Sequence, residues 1–298
     1  MLILRLFYLL GLTFSANSIR RTYYLAAVEI DWDYGNAENR ELVPFRKSVF
    51  RQFSDGYYRR EIPHVESLGY FGPTLIAEVG DALVVRLRNF ATVSCNLQAQ
   101  GVKVTSENPS YVLPHNQSTY QWEIPQESSP TYDDPPCVAR LYYSSVDQIK
   151  DINSGLVGSL IICKPGWIWT VEEETPKVLV FAISVESKSL FHHNHVVNNT
   201  HHHNEVSSLH YTINGFSFKT FPALSTCSGE STTLFLIGLS AKSTSFSITF
   251  ENHVIQMRSF HVTNVVSLFT GSTEVIEITP HQDIQVVLVS TALLMNIT

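Results

Sequence analysis

Short apolar runs separated by polar turns follow one another along most of the chain, and this pattern predicts strands. The runs are rich in Val, Ile, Thr, Tyr and Phe and end at Gly, Pro, Asn or Asp, as strands and their turns do. Helical spacing of apolar residues is nearly absent, so the pattern predicts an all-β protein built from sandwiches or barrels. The predicted strands are YYLAAVEIDWDY, TLIAEVGDALVVRLRNF, TYQWEIP, LVGSLIICK, KVLVFAISV, TTLFLIGL and FSITF.

The length of the chain favours two such domains. Its 298 residues are 44% hydrophobic, which is enough to give each domain a core. A proline-flanked acidic stretch, PGWIWTVEEETP, separates LVGSLIICK from KVLVFAISV. We therefore predict a first domain over residues 19–165, a linker over 166–176 and a second domain over 177–298.

The N-terminus predicts secretion. Residues 1–18 combine Arg5, an apolar run over residues 6–14 and small residues around position 16. This is the layout of a secretory signal peptide. The run is shorter than the roughly 20 residues that a membrane-spanning helix needs. We expect residues 1–18 to be a signal peptide and the mature protein to be extracellular.

Secretion would expose the chain to oxidation and glycosylation, and the sequence has acceptors for both. Asn116, in NQS, and Asn198, in NNT, fit the N-glycosylation pattern and lie in polar stretches. We predict that both are glycosylated. Four cysteines are present, so disulfides are chemically reasonable.

The charge pattern excludes two classes of partner. The formal net charge is −7, with 20 basic and 27 acidic residues of both signs interspersed along the chain. Nucleic acids and anionic membranes attract runs or patches of basic residues. We therefore predict no nucleic-acid partner and no direct membrane binding.

Five stretches, in order and at similar spacing, resemble the first A domain of coagulation factors V and VIII. They are YYLAAVEIDWDY, GPTLIAEVGDALVVRLRN, SSPTYDDPPC, DINSGLVGSLIICK and HYTINGFSFKTFPAL. The same superfamily contains the copper ferroxidases ceruloplasmin and hephaestin. The resemblance covers about residues 20–290 and implies two tandem cupredoxin-like, or plastocyanin-like, β-barrels. It also implies that the second barrel lacks its last strand, because the family's barrel continues beyond VVLVS.

The resemblance identifies the positions at which copper-binding members carry histidines. Their His-x-His-Gly pair matches Gln98 and Gln100 in QAQG, and a second pair matches Tyr143 and Ser145 in YYSS. Amide, phenol and hydroxyl groups are poorer copper ligands than neutral imidazole. We therefore expect no copper cluster here and no oxidase activity.

A separate mononuclear copper site in the second domain would need a His-Cys-His set. The resemblance places Phe246 at the first His position and Ser290 at the Cys position. We expect no such site. The alternative, which the superfamily name favours, is a multicopper oxidase with bound copper.

Two other segments are candidates for metal binding. Factors V and VIII bind calcium in an acidic segment that matches residues 101–120 here, where Glu107 is a weak remnant and a tight site is not expected. The histidine-rich segment from His192 to His203 is interpreted as a solvated loop, with adventitious zinc or copper binding as the alternative. No cofactor is expected, and copper or calcium is the alternative.

The resemblance also assigns the cysteines. Cys137 and Cys163 match the disulfide of the family's first barrel, and we expect them to pair. Cys227 matches a family cysteine whose partner lies beyond the second barrel, and Cys95 has no counterpart. We expect Cys95 and Cys227 to be free, with mispairing as the alternative.

Together these observations predict a secreted, non-enzymatic protein of the factor V/VIII A-domain type. By resemblance it is a scaffold for protein–protein interaction in blood clotting, and its partners are other A domains or clotting proteases. One alternative is a copper-binding multicopper oxidase, a ferroxidase related to ceruloplasmin and hephaestin. Another is a decoy binding module that keeps only an interaction face.

Overall fold

The computed structural model describes residues 18–34, 44–170, 178–187, 191–192, 209–217, 220–222, 228–240, 245–258, 261–281, 285–290 and 293–297. Within them, nineteen strands, two short α-helices and two 3-10 helices (Glu66–Leu68 and Gln126–Ser128) form an all-β architecture. The α-helices are α1 (Gln148–Ser154) and α2 (Trp167–Thr170). The strands are β1 (Arg20–Trp32), β2 (Phe45–Phe53), β3 (Leu75–Glu78), β4 (Ala82–Asn89), β5 (Gln98–Ala99), β6 (Lys103–Val104), β7 (Gln117–Glu123), β8 (Cys137–Tyr143), β9 (Val157–Cys163), β10 (Val178–Ser187), β11 (Leu209–Ile213), β12 (Thr232–Ser240), β13 (Ser245–Glu251), β14 (Ile255–Gln256), β15 (Val262–Thr263), β16 (Val265–Phe269), β17 (Thr273–Ile278), β18 (Gln285–Ser290) and β19 (Leu293–Ile297).

The strands form four sheets, two in each of two units. The first unit has the orders β2-β1-β4-β7-β6 and β3-β9-β8-β5, and the second unit has β11-β10-β12-β17-β14-β15 and β16-β13-β18-β19. The units begin alike, since β1 and β10 each pair antiparallel with the next strand and parallel with a later one. Each unit encloses an apolar core of its own. The predicted linker lies in the gap between β9 and β10, although the domain limits stay a prediction.

Strand β9 lies between two apolar layers. Alternate side chains of a strand point to opposite faces, so Leu160 and Ile162 pack in the core of the first unit. Val157 and Ile161 point the other way and pack against the second unit, where Phe235 of β12 meets them. Both faces are therefore covered, which is why LVGSLIIC is a continuous apolar run and does not alternate.

All seven predicted strand segments are present, with one correction, and they account for eight of the nineteen strands in the described residues. TLIAEVGDALVVRLRNF is two strands, β3 and β4, because the chain turns at Gly80, whose φ of 92° favours glycine. The apolar pattern does not predict β2, since Lys47 and Arg51 interrupt it. The two side chains are only 0% and 8% exposed, so charged residues occupy positions that a strand pattern would assign to apolar ones.

The C-terminal part of the second unit has one strand after the VVLVS segment. After β18 the chain continues into β19, which pairs antiparallel with β18 from Ser290 opposite Leu293 onward. Residues beyond Ser290 therefore extend the sheet by one strand. That the second barrel lacks the family's last strand stays a prediction.

A buried ion pair joins the two units. The Nζ atom of Lys47, on β2 of the first unit, lies 2.8 Å from Oε2 of Glu186, on β10 of the second unit. Lys47 also donates to the carbonyl oxygen of Asn153 at 2.8 Å, and its ammonium lies 3.6 Å from the ring centroid of Phe191. Both charged side chains are buried, so the ion pair compensates for the hydration that each charge loses.

The Glu186 carboxylate is saturated with hydrogen-bond donors. Besides Lys47, it accepts from the hydroxyls of Tyr34 at 2.6 Å and of Tyr70, both from the first unit. Two hydroxyls of the second unit donate to it as well, from Ser184 at 2.9 Å and Thr212 at 2.8 Å. Burial alone would raise its pKa, but the Lys47 ammonium and the hydroxyl donors outweigh burial and lower the pKa to about 2.

We expect Glu186→Gln to lower the free energy of unfolding by about 3–5 kcal/mol, because it leaves the Lys47 ammonium buried without a counter-charge. Urea unfolding at neutral pH measures this. The matched control is Asp31→Asn, which breaks the exposed Arg46–Asp31 pair and should cost less than about 1 kcal/mol. Equal losses in the two variants would contradict the prediction.

The same carboxylate predicts a pH dependence. Its pKa is about 2 in the folded chain against an ordinary 4.5, so its stabilisation is complete above about pH 4.5 and is lost as the pH falls toward 2. We expect the difference in unfolding free energy between the unmodified chain and Glu186→Gln to shrink over this range. Parallel urea titrations at stepped pH values measure the difference, and a constant value would refute the assignment.

Candidate functional site

Strands β5 and β8 bring the four predicted copper-ligand positions of the first unit together. The two strands pair antiparallel at the edge of the β3-β9-β8-β5 sheet, with Gln98 directly opposite Tyr143. Gln100 directly follows β5, and Ser145 lies two residues after β8. The two pairs are thus neighbours in the fold, and imidazole is present at none of the four positions.

The two glutamines have different surroundings. The side chain of Gln98 is exposed. Gln100 is half-buried and bonds to β8, since its backbone N–H donates to the carbonyl oxygen of Leu141 at 2.8 Å and its Oε1 accepts from the N–H of Leu141 at 3.3 Å. The Gln100 amide therefore fastens β5 to β8.

Ser145 is held by Asn96, which lies two residues before Gln98. The N–H of Ser145 donates to Oδ1 of Asn96 at 2.7 Å, and Nδ2 of Asn96 donates to Oγ of Ser145 at 3.2 Å. The same Nδ2 donates to the carbonyl oxygen of Ser110 at 2.8 Å. Both sides of the amide are used, so Asn96 links the two strands where the resemblance places metal ligands in other members.

A fully buried carboxylate completes this hydrogen-bond network. Asp151, on α1, accepts from Oγ of Ser144 at 2.6 Å and from the N–H of Asp147 at 3.1 Å. Its other oxygen lies 2.6 Å from Nε2 of His192, and the N–H of His192 donates to Oγ of Ser154 at 2.9 Å. The interpretation of His192 as part of a solvated loop is therefore wrong, because its ring packs on α1.

The sequence did not single out Asn96, Ser144 or Asp151. Asn96 had a usable signal, since positions 96, 98 and 100 alternate and would share one face of an extended strand. The contact between Asp151 and His192 joins residues 41 apart, and no local pattern shows it.

The two positions predicted for a mononuclear site are also brought together. Phe246 on β13 lies directly opposite Ser290 on β18. The Phe246 ring is 2% exposed and packs in the core of the second unit. A buried phenyl ring supplies packing and no ligand atom at this point.

The remaining predicted sites are dispersed. Glu107 and Asn116 are exposed. They lie in loops before and after Val112, which forms an isolated antiparallel β-bridge with Cys95. Asn198, Cys227 and the histidines of the segment beyond His192 lie outside the described residues. Within the described part of the chain, no three His, Cys, Asp or Glu side chains are grouped closely enough to hold a metal ion.

The cysteines of the first unit take two different states. Cys137 and Cys163 lie opposite each other on β8 and β9 and form the disulfide that the resemblance implied. Cys95 is a free thiol buried in the core of the first unit. Burial, reinforced by the Asp151 carboxylate, raises its pKa to about 12, so it is a poor nucleophile at neutral pH.

Sequence comparison with known proteins identifies the family of the chain. No protein-family model matches the chain. Coagulation factor V of Bos taurus is 35% identical over 280 residues, which cover 85% of this chain and 12% of factor V. Coagulation factor VIII of Canis lupus familiaris is 33% identical over 285 residues, which cover 83% of this chain and 12% of factor VIII. The chain belongs to the family of the factor V and factor VIII A domains.

A further relative has a lower identity. Ceruloplasmin of Mus musculus is 29% identical to this A-domain homologue over 299 residues, which cover 87% of this chain and 28% of ceruloplasmin. The predicted resemblance is thereby confirmed. The chain spans only a small part of each of these relatives.

Solved structures show the fold. Copper nitrite reductase from Nitrosomonas europaea superposes with a TM-score of 0.61 at 15% identity, covering 94% of this A-domain homologue and 93% of the reductase. A laccase from Pediococcus acidilactici superposes with a TM-score of 0.62 at 12% identity. The superposition covers 93% of this chain and 57% of the laccase. The predicted all-β, cupredoxin-like fold is confirmed, and identities this low support no statement about activity.

One further observation concerns membranes. Among the helices of the described residues, none has the length and apolar character needed to cross a bilayer.

We expect iodoacetamide to leave Cys95 unlabelled in the native A-domain homologue and to label it in urea, because the thiol is buried and its pKa is about 12. Peptide mass mapping of the Cys95 peptide before and after denaturation measures this. Cys137 and Cys163 serve as the internal control, since they should stay unlabelled in both conditions until a reductant is added. Rapid native labelling of Cys95 would contradict its burial.

Proposed function

We propose that this chain is a secreted, copper-free A-domain scaffold that acts in blood clotting by binding other proteins and not by catalysis. One observation carries the proposal. On the paired strands β5 and β8 and just after them, the four positions where the resemblance implies copper ligands in oxidase relatives are Gln98, Gln100, Tyr143 and Ser145. The side chains of Gln100 and Ser145 are engaged in hydrogen bonds to β8 and Asn96.

Coordination chemistry supports the proposal. Copper in oxidases is held by imidazole nitrogens, and an electron-transfer site also needs a thiolate. The second unit has the buried ring of Phe246 at the position expected to carry a histidine. The free thiol of the first unit, Cys95, is enclosed in an apolar core.

Homology supports the clotting part of the proposal. The factor V and factor VIII relatives are named as coagulation factors. By this relationship, the partners proposed for the chain are other A domains or clotting proteases. The chain matches 12% of factor V, so its activity in isolation is part of the proposal.

A second candidate is a multicopper oxidase. The structural neighbours include copper oxidases and a laccase, which favours an ancestry in that fold. Identities of 12–16% show the fold alone.

Copper loading distinguishes the two candidates. The purified chain is incubated with copper, dialysed against a weak chelator and analysed for bound metal and for oxygen uptake with ferrous iron as substrate. We expect neither stoichiometric copper nor oxygen uptake, because the first-unit positions lack imidazole. Stoichiometric copper together with iron-dependent oxygen uptake would replace the scaffold proposal with the oxidase.

The matched control carries histidine at all four positions: Gln98→His, Gln100→His, Tyr143→His and Ser145→His. This variant should retain copper after dialysis, which shows that the assay detects a restored ligand set. The clotting part of the proposal is tested by adding the unmodified chain to plasma depleted of factor V. We expect a changed clotting time, and an unchanged time at saturating protein would oppose a function in clotting.

A further inference from the structure

The outer face of the β2-β1-β4-β7-β6 sheet carries arginines and aromatic rings that the candidate site does not use. Leu83, Val85 and Leu87 of β4 point into the core, so Arg86 and Arg88 point outward. The loop that follows β2 folds over this face, since Tyr58 Oη donates to the carbonyl oxygen of Arg86 at 3.0 Å. We define the arginine–aromatic face by six residues: Tyr57, Tyr58, Arg59, Arg86, Arg88 and Phe90.

Tyr58 organises this face. Its ring makes edge contacts with Phe53, Phe90 and Tyr24, at centroid distances of 5.6, 6.0 and 6.4 Å. Its backbone has φ of 56°, a left-handed conformation that is unfavourable for a residue with a side chain. The rest of the fold must impose this conformation, and strained backbone of this kind concentrates at functional sites.

The arginines of this face lack acidic partners. In the part of the chain that the structure describes, Arg59, Arg86 and Arg88 make no ion pair with a carboxylate. Asp55 lies in the same loop, but its Oδ1 accepts from the N–H of Tyr57 at 2.8 Å. By contrast, three other arginines of β1 and β2 are paired: Arg21 with Asp81, Arg46 with Asp31 and Arg51 with Glu61.

The neighbouring strand adds no negative charge to the centre of the face. The outward positions of β7 are Gln117, Thr119 and Gln121, which are exposed and neutral, and Glu123, which lies opposite Ala82 at the far end of the strand, 3.9 Å from the Lys103 ammonium. Thr119 lies opposite Arg86, and Gln117 lies opposite Arg88. A concentration of unpaired positive charge on a chain of net charge −7 therefore favours an anionic ligand.

The exposed rings identify the class of anionic ligand. Tyr57 is 79% exposed and Phe90 is 43% exposed. The Arg59 guanidinium lies 5.4 Å from the Tyr57 ring centroid, and that of Arg88 lies 5.5 Å from the Phe90 ring. Arginine and tyrosine together are typical of protein–protein interfaces, where a ring fills a pocket and the guanidinium binds a carboxylate. A sulfated polysaccharide or a lipid headgroup needs the charge but not the rings.

We propose that the arginine–aromatic face is a docking surface for an acidic, leucine-containing peptide segment of a partner protein. The carboxylates of the segment would bind the guanidinium groups of Arg59, Arg86 and Arg88. Its apolar side chains would pack on Tyr57 and Phe90. This inference deepens the proposed function and rests on it, because a scaffold acts through such a surface.

The test is a fluorescence anisotropy titration of the full chain against a labelled peptide of glutamates interspersed with leucines. We expect binding that weakens as salt rises, and no comparable binding of the matched peptide in which glutamine replaces every glutamate. The double variant Arg59→Glu/Arg86→Glu should weaken binding about tenfold or more. Tyr57→Ala should weaken it severalfold without changing the charge.

The matched control is Lys150→Glu/Arg258→Glu, which makes the same change in net charge at exposed positions on other elements. It should bind within about twofold of the unmodified chain, since screened charges outside the face contribute little. Thermal unfolding checks that every variant is folded. Because Tyr57 is so exposed, Tyr57→Ala keeps the test valid if the charge reversals perturb the loop.

Three results would overturn the proposal. These are equal binding of the glutamine peptide, equal loss in the control and the face variant, and tighter face-dependent binding of a heparin oligosaccharide or a phosphatidylserine vesicle than of the acidic peptide. None of them changes the copper content or oxygen uptake of the chain. A failure of the docking surface is therefore distinguishable from a failure of the scaffold proposal.

Discussion

The buried pair of Lys47 and Glu186 determines how the two units sit against each other. The carboxylate receives donors from β2, from the segments after β1 and before β3, and from β10 and β11. An ionised carboxylate in an apolar layer is costly unless all of these donors are in place. Apolar packing is non-directional, whereas the donors of both units must converge on the one carboxylate of Glu186. The apolar layer stabilises the contact between the units, and the ion pair fixes their relative orientation.

The same reasoning applies to the positions where the resemblance predicts metal ligands in other members of the family. A bound metal cross-links the strands that carry its ligands. Here hydrogen bonds make the equivalent links, since Gln100 and Asn96 bridge β5 and β8 and Asp151 connects β8 to α1. These links need no ion and are satisfied by the chain itself. The end of the sheet is thus stabilised as structure, which is consistent with a scaffold.

Much of this could be predicted from the sequence, and the failures have physical causes. Short apolar runs and turn residues predicted eight of the nineteen described strands, distributed over both units. The pairing of Gln98 with Tyr143 follows from motifs that the family resemblance supplied. Strand β2 escaped prediction because Lys47 is buried by a partner 139 residues away. The position of His192 on α1 escaped for the same reason, since its partner Asp151 belongs to the other unit. The left-handed Tyr58 is a tertiary effect as well, because its turn has no glycine at that position. Local sequence patterns predict strands. Buried charges and unusual backbone conformations depend on contacts between segments that are distant in the sequence.

Strand β9 has a consequence for how the chain folds. Its side chains on one face complete the core of the first unit, while those on the other face, with Phe235 and Ile237 of β12, form the layer between the units. Separating the units would expose this layer to water at a cost proportional to its apolar area. The two units are therefore not independent modules that happen to be joined. We expect them to unfold as a single cooperative unit, because opening of one half would remove the apolar surface that packs against the other half.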